Sequence, residues 1–308
     1  MVQLLLGAFC ISFSPVFVRL AGVPADASAF WRMVFGGLGT VVLLAATGGL
    51  RPARSGAGRL TWRVLAPAVL GAVFLALDLM CWHRSILRIG PGLATMLANF
   101  QAVILAVVGL VALREGRAGR TLGAVGLALA GLWFMAGAGW DRAGADFRSG
   151  VLLGLATAAL YSGYLLGMRR ASRLAGSGAA HPLVAVVSLA TATVVGLAML
   201  GAGADFAIPG GRALGWLVAY GLVGQVAGWW CITRGMASAP ASRIGLVLLL
   251  QPVLSYLWDV LLFHKPLDGV ELFGMALALA GIALGTGLGS GRRRAASDAL
   301  GRHGNLNS

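Results

Sequence analysis

Gln101–Gly131 reads QAVILAVVGLVALREGRAGRTLGAVGLALAG, and Gln251–Gly281 reads QPVLSYLWDVLLFHKPLDGVELFGMALALAG. One constant offset superimposes Gln101 on Gln251, Val103 on Val253, Gly119 on Gly269, Leu122 on Leu272 and the closing LALAG on itself. Upstream, Trp82 and Trp230 keep nearly the same distance from their glutamines. LALAG alone is a cheap match in a chain rich in Ala, Leu and Gly. The shared register of the Gln, Gly and Leu positions makes duplication the better reading. Internal duplication in a chain this apolar points to a membrane carrier made of two related halves.

The chain is 58% hydrophobic and only 11% charged, far from the roughly 45–50% apolar and 25% charged usage of soluble domains. Its apolar residues come in runs of about 20, the length a helix needs to cross roughly 30 Å of hydrocarbon. Backbone groups in lipid must be satisfied within the segment, so the runs are helices; the alternating strands of a barrel are missing. Ten spans are expected: Val2–Ala21, Ser28–Thr47, Val64–Ile86, Pro91–Leu113, Arg120–Ala138, Gly150–Met168, Pro182–Gly201, Gly211–Ile232, Ala241–Phe263 and Gly269–Leu288. The first run lacks a basic leader and an Ala-x-Ala-type site, and is expected to be a retained helix. The fold class is therefore an all-α integral membrane protein.

The net charge of +14 invites a nucleic-acid reading, but the arginines are scattered among connectors and no basic soluble domain carries them. Topology explains the charge better. With the N-terminus in the cytoplasm, the inner connectors and tail gather Arg51, Arg54, Arg59, Arg63, Arg114, Arg117, Arg120, Arg169, Arg170, Arg173, Arg234, Arg243, Arg292 to Arg294 and Arg302. The outer side and outer helix ends hold about half as many cations, among them Arg19, Arg88, Arg148 and Lys265, and most of the acidic residues. This bias selects an orientation with both termini cytoplasmic; the membrane expected is a bacterial inner membrane. Five spans per half is an odd number, so the second half enters the membrane upside down and the duplication becomes an inverted repeat. The halves are residues 1–139 and 149–289, followed by a basic, disordered cytoplasmic tail at 290–308.

Cys10, Cys81 and Cys231 are isolated in apolar spans, and His83, His181, His264 and His303 are far apart in sequence. No metal or other cofactor and no disulfide is expected. The chain has no GxxxxGK[ST] stretch, so ATP is not the direct energy source.

SFSPVFVRLAG in span 1, AFWRMVFGG at the start of span 2, Glu115 followed by GLALAGL, and the counterpart MALALAGI together carry a resemblance to a known family. Over about residues 1 to 290, the chain resembles the EamA-type ten-helix carriers of the drug/metabolite transporter superfamily. The second repeat has His264-Lys265 where that family usually has a Gly-Glu-like pair. The resemblance implies the fold, its orientation and a substrate class: amino acids and other small metabolites moved through a central cavity.

Residues that could line such a cavity stand out on their own chemistry. Asp78 and Asp259 are the carboxylates inside apolar spans, where an ionisable group costs several kcal/mol unless paired or hydrated, roughly 2.5–3.5 on insertion scales. Asp78 falls in the outer half of the bilayer. Arg32 is its expected counter-charge and Arg19 the next choice; the bland reading is a salt bridge holding spans 2 and 3 together. Asp259, nearer the surface, is expected to meet water or Lys265. Asp78, Trp82 and Ser85 share one helix face, and Gln225 and Trp229 repeat the spacing in the other half. Tryptophans near span ends are more often interfacial anchors than ligand contacts. Gln101 and Gln251 enter from opposite sides to midplane depth, with Asn99 and Thr95 on span 4, and Ser255 and Pro252 on span 9. Ser12, Ser14 and Pro15 are expected to interrupt span 1 at that depth, as Tyr161 and Tyr164 do in span 6. Interhelical hydrogen bonding, worth about 0.6 kcal/mol on average, explains any of these singly; convergence of several favours a polar cavity.

The residues expected to contact substrate are thus Ser14, Arg32, Asp78, Trp82, Asn99, Gln101, Tyr161, Gln251 and Ser255. The function expected is secondary transport of amino acids or related amphipathic solutes by alternating access, with efflux the expected direction. Asp78 is the candidate for proton coupling. The partners expected are the solute and membrane lipids, without nucleic acid; oligomeric state stays open. An intramembrane lipid-modifying enzyme is the alternative. It would need convergent His, Asp or Glu groups, or a nucleophile with its base, near one interface; the scattered His83 and His264 do not supply that unless folding brings them together. A channel is a weaker rival, because one chain already contains the repeat pair.

Overall fold

The computed structural model describes residues 2–48, 60–112, 118–137, 140–175, 180–237 and 247–285. Among the described residues there is no strand. Eight helices are long and apolar enough to cross a membrane: α1 (Val2–Ala21), α2 (Ala25–Ala46), α3 (Trp62–Ile89), α4 (Pro91–Val111), α5 (Ala118–Gly137), α6 (Ala145–Ala175), α7 (Pro182–Gly201) and α8 (Gly211–Ile232). Two shorter apolar helices follow, α9 (Leu250–Phe263) and α10 (Gly269–Gly285). Each coincides with an apolar run expected from sequence. Arg51, Arg54, Arg59, Arg114, Glu115, Arg117, Arg243 and the 290–308 tail lie outside the described residues.

The helices α3 and α6 are longer than their apolar runs. α6 begins at Ala145 and continues to Ala175, taking in Asp146 and Arg148 at one end and Arg169, Arg170 and Arg173 at the other. A hydropathy window stops where charge begins, whereas the backbone hydrogen-bond ladder continues into polar turns. Tyr161 and Tyr164 do not interrupt α6, which is helical without a break through both. The expected break in α1 is present: the helix divides into Val2–Ser12 and Ser14–Ala21 around Phe13, beside Pro15. Pro15 has no N–H to continue the ladder.

Helices in lipid gain little from burying apolar surface against each other, so small residues decide which surfaces meet. The repeated LALAG segments show this most clearly. A Cβ added at Gly131 on α5 would lie 2.5 Å from the Ala278 nitrogen and 2.5 Å from the Gly274 carbonyl oxygen on α10. One added at Gly281 on α10 would lie 2.7 Å from the Ala128 nitrogen and 2.8 Å from the Ala124 carbonyl oxygen on α5. Equivalent residues thus make equivalent contacts. Further along, Phe134 meets Phe273 with ring centroids 5.1 Å apart, and Gly123 faces Leu284. Rising residue numbers on α5 meet falling numbers on α10, so the two run antiparallel. α2 and α7 do the same, with Gly37 against Leu189 and Ser188, and Phe30 against Gly196.

Other small-residue spacings also mark packing surfaces. Gly150 and Gly154 seat Ile89 and Leu97, and Gly224 and Gly228 seat Ser14 and Ile11. Gly119, by contrast, has open space where a side chain would project.

Candidate functional site

Helices from both halves surround a cavity of about 340 Å³. Ser14 reaches it from α1, Arg32 from α2, Asp78 and Trp82 from α3, Asn99 and Gln101 from α4, Tyr161 from α6, and Gln251 and Ser255 from α9. These are all nine residues selected from sequence, now on one wall-to-wall surface. Thr95, Thr157, Tyr164, Gln225 and Trp229 complete its polar and aromatic lining.

Local breaks in the helices let backbone and side-chain polarity meet at this depth. α4 divides at Asn99–Phe100, between Pro91–Ala98 and Gln101–Val111. A turn at Leu249 precedes α9. These two breaks are related by the same offset that relates Gln101 to Gln251, so the interruption is duplicated along with the sequence. At the first break the Asn99 amide donates to the Thr95 carbonyl at 2.8 Å. At the break in α1, Ser255 donates to the Ser12 carbonyl at 3.1 Å, and the Trp258 indole donates to the Ser12 hydroxyl at 2.9 Å.

The lining has unspent hydrogen-bonding capacity. Among the described residues, several buried side-chain polar atoms have no hydrogen-bond partner. Six of them belong to this cavity: Ser14 Oγ, Arg32 Nε, Asp78 Oδ1, Trp82 Nε1, Thr95 Oγ1 and Gln101 Oε1. Buried polar atoms are nearly always paired, with protein or with something bound. These six gather on this one surface.

The charges are arranged differently from the sequence expectation. Asp78 and Arg32 line the same cavity, but no ion pair joins them among the described residues, so the bland reading of Asp78 as half of a structural salt bridge falls. Arg32 Nη1 instead donates to the Tyr220 hydroxyl at 2.8 Å, and Nη2 to the Gln225 carbonyl at 3.2 Å. The Arg32 guanidinium also lies 4.7 Å from the Tyr220 ring centroid and 5.8 Å from that of Trp82. Arg19, the second choice for Asp78, pairs with Asp259 at 3.3 Å. Asp259 is therefore ion-paired, and Lys265, its expected neighbour, lines a second cavity with it. The Asp259 carboxylate also accepts from the Gly92 backbone N–H at 3.1 Å, while Lys265 pairs with Glu271 at 2.6 Å.

This second group of charges lines a larger, vestibule-like cavity of about 790 Å³, with Arg88, His264 and Asp268 around it. It sits where α1, α3, α5 and α9 end and α6 and α10 begin. Ser255 and Asp259 are one helical turn apart on α9, so the ion pair lies about one turn from the lining of the central cavity. His83 and His264 do not meet. His83 is fully buried against Leu79 and Tyr220, whereas His264 lines the vestibule.

Sequence reasoning missed Tyr220 and the role of His83. Tyr220–Ala227 is wound as a π-helix inside α8, and such a turn has no hydropathy signature. The isolated Gln225 one turn before Trp229 was the available signal.

A helical bundle duplicated in sequence, with apolar outer faces and a polar cavity between its halves, defines a multi-pass membrane protein. Residues 1–137 and 148–286 each match the sequence profile of the EamA-like transporter family, and the chain belongs to that family. No curated protein matches the sequence closely enough to be significant. One solved crystal structure, described only as that of a protein, is similar over 92% of this chain and 96% of its own, with a TM-score of 0.63 and 23% identity. At that identity the likeness concerns the fold.

Proposed function

We propose that this protein is a secondary transporter that moves small amphipathic metabolites, amino acids foremost, through the central cavity by alternating access. The observation that carries the reading is the set of six unpartnered polar atoms on one cavity built from both halves. A site that must release its ligand cannot spend its polar groups on itself. Asp78 offers a carboxylate to an ammonium group, Arg32 a guanidinium to a carboxylate, and Trp82, Tyr161 and Tyr164 offer aromatic faces to an apolar body.

In this reading α9 and α10 also cross the membrane, giving ten spans in two inverted five-helix halves. The antiparallel packing of α5 on α10 and of α2 on α7 supports it. Each half can adopt the conformation of the other, and exchanging the two moves the opening from one face to the other. The arginine bias supports cytoplasmic termini; the reading takes the membrane as a bacterial inner membrane and efflux as the working direction. Asp78 is the group suited to carry a coupled proton.

The test is counterflow in proteoliposomes. Vesicles preloaded with a mixture of amino acids should accumulate a labelled member transiently and saturably. Uptake that rises linearly with concentration and shows no counterflow would fit a pore instead. Turnover of a lipid without solute movement would restore the enzyme reading.

A further inference from the structure

We propose that Tyr220, backed by His83, is a positioning residue that holds Arg32 as the fixed cation of the central cavity, aimed at a carboxylate on the solute. The proposal rests on the cavity being the solute site.

The hydrogen bonds form a chain with one consistent direction. The Leu79 carbonyl can only accept, and His83 Nδ1 lies 2.7 Å from it, so that nitrogen carries the proton. His83 Nε2 lies 3.1 Å from the Tyr220 hydroxyl. That hydroxyl already accepts from Arg32 at 2.8 Å, so its own proton points to Nε2. Arg32 to Tyr220 to His83 to Leu79 is thus a relay in which each link orients the next. Gln225 fixes the other arm: its carbonyl accepts from Arg32 at 3.2 Å and its amide donates to Ser188 Oγ at 3.1 Å.

Both arms depend on the local winding of α8. Tyr220 and Gln225 are five residues apart, which on an α-helix would separate them by about 140°. The π-wound turn Tyr220–Ala227 turns less per residue and brings both toward Arg32; π-turns recur at functional sites for this reason. The two helices also approach closely. A Cβ at Gly221 would lie 2.8 Å from the Gly36 nitrogen, and one at Gly36 would lie 2.5 Å from Gln225 Cγ. Arg32, one turn from Gly36, therefore sits within reach of both partners.

Among the described residues, every group hydrogen-bonded to Arg32 is neutral. Asp78 lines the same cavity without forming an ion pair with it, and Arg32 Nε has no hydrogen-bond partner. A guanidinium held by its outer nitrogens with Nε left over presents a side fork, the geometry that binds a carboxylate through two parallel N–H bonds.

The test compares carboxylates with their own carboxamides. Wild-type protein in detergent is screened by thermal shift against the amino acids and the matching amino acid amides, and the hits are then carried into counterflow. Wild type should prefer carboxylate over amide by about tenfold or more, as expected for a charge-assisted pair. Tyr220→Phe should reduce the preference to within about threefold, through KM with kcat kept, because the guanidinium loses its orienting acceptor. Gln225→Glu provides a second reading in a protein of nearly unchanged shape. It sets a carboxylate against Arg32, cancels the cation internally and should abolish the preference. Equal response of wild type to acid and amide, or no response to either, overturns the proposal. So does a preference that survives both substitutions. Carboxylate binding with the expected variant pattern but no counterflow would leave the proposal standing and sink the transport reading.

Discussion

Arg19 at the end of α1 and Asp259 on α9 are joined at 3.3 Å, and the same carboxylate accepts the Gly92 N–H at the start of α4. Asp259 is buried while the Arg19 side chain is 38% exposed. One carboxylate thus ties together three helices from the two halves, one turn from the central cavity. Asp259→Asn should loosen this tie. In a background with Cys10, Cys81 and Cys231 replaced by alanine, a cysteine introduced at Gln251 should be alkylated from the vestibule side about tenfold faster. A charge-assisted hydrogen bond is worth roughly that much. An unchanged alkylation rate would show that the tie does not hold this side closed.

Asp78 has a buried oxygen without a protein partner and no ion pair among the described residues. Asp78→Asn keeps the shape and removes the charge. Transport driven by an imposed pH gradient should fall by at least about tenfold, with membrane insertion and thermal stability kept, since the lost charge supports no structural pair. Wild-type rates in this variant would remove Asp78 from the mechanism.

Gly131 and Gly119 lie on the same helix in opposite circumstances. Gly131→Leu forces a side chain into the backbone of α10, and overpacking of this kind costs about 1–3 kcal/mol or more. The thermal midpoint of the purified protein should drop by several degrees. Gly119→Ala meets nothing within 4 Å and should leave the midpoint unchanged or slightly raised. Equal effects of the two would mean that α5 and α10 do not pack as described.

Orientation is open to a simple measurement. A periplasm-active reporter fused after Gly144, between α5 and α6, should be active if the arginine bias sets the topology. Activity of a cytoplasm-dependent reporter at that point would invert the assignment.

The helices and the cavity lining were legible in the sequence for a physical reason. Polar residues such as Asp78, Gln101 and Gln251 are costly in an apolar run, so each announces a site where the cost is met. The pairing of charges was not legible. Whether Arg32 turns to Asp78 or to Tyr220 depends on the π-turn in α8 and on the close approach of Gly36 to Gly221. Neither leaves a trace in hydropathy. Helix ends were less legible where charged turns extend a helix past its apolar run, as in α6. Tyr220 stands midway along the run Gly211–Ile232, and nothing near it in sequence marks its hydrogen-bond partner His83.

The contact between the two LALAG segments has the form of a surface answering its own copy, as in an isologous dimer interface. Ala128 is the seat of Gly281, and Ala278 the seat of Gly131. A substitution at one of these positions is therefore felt first in the opposite half. Compensation for it must arise there too, so the two copies of the ancestral segment are bound to change together.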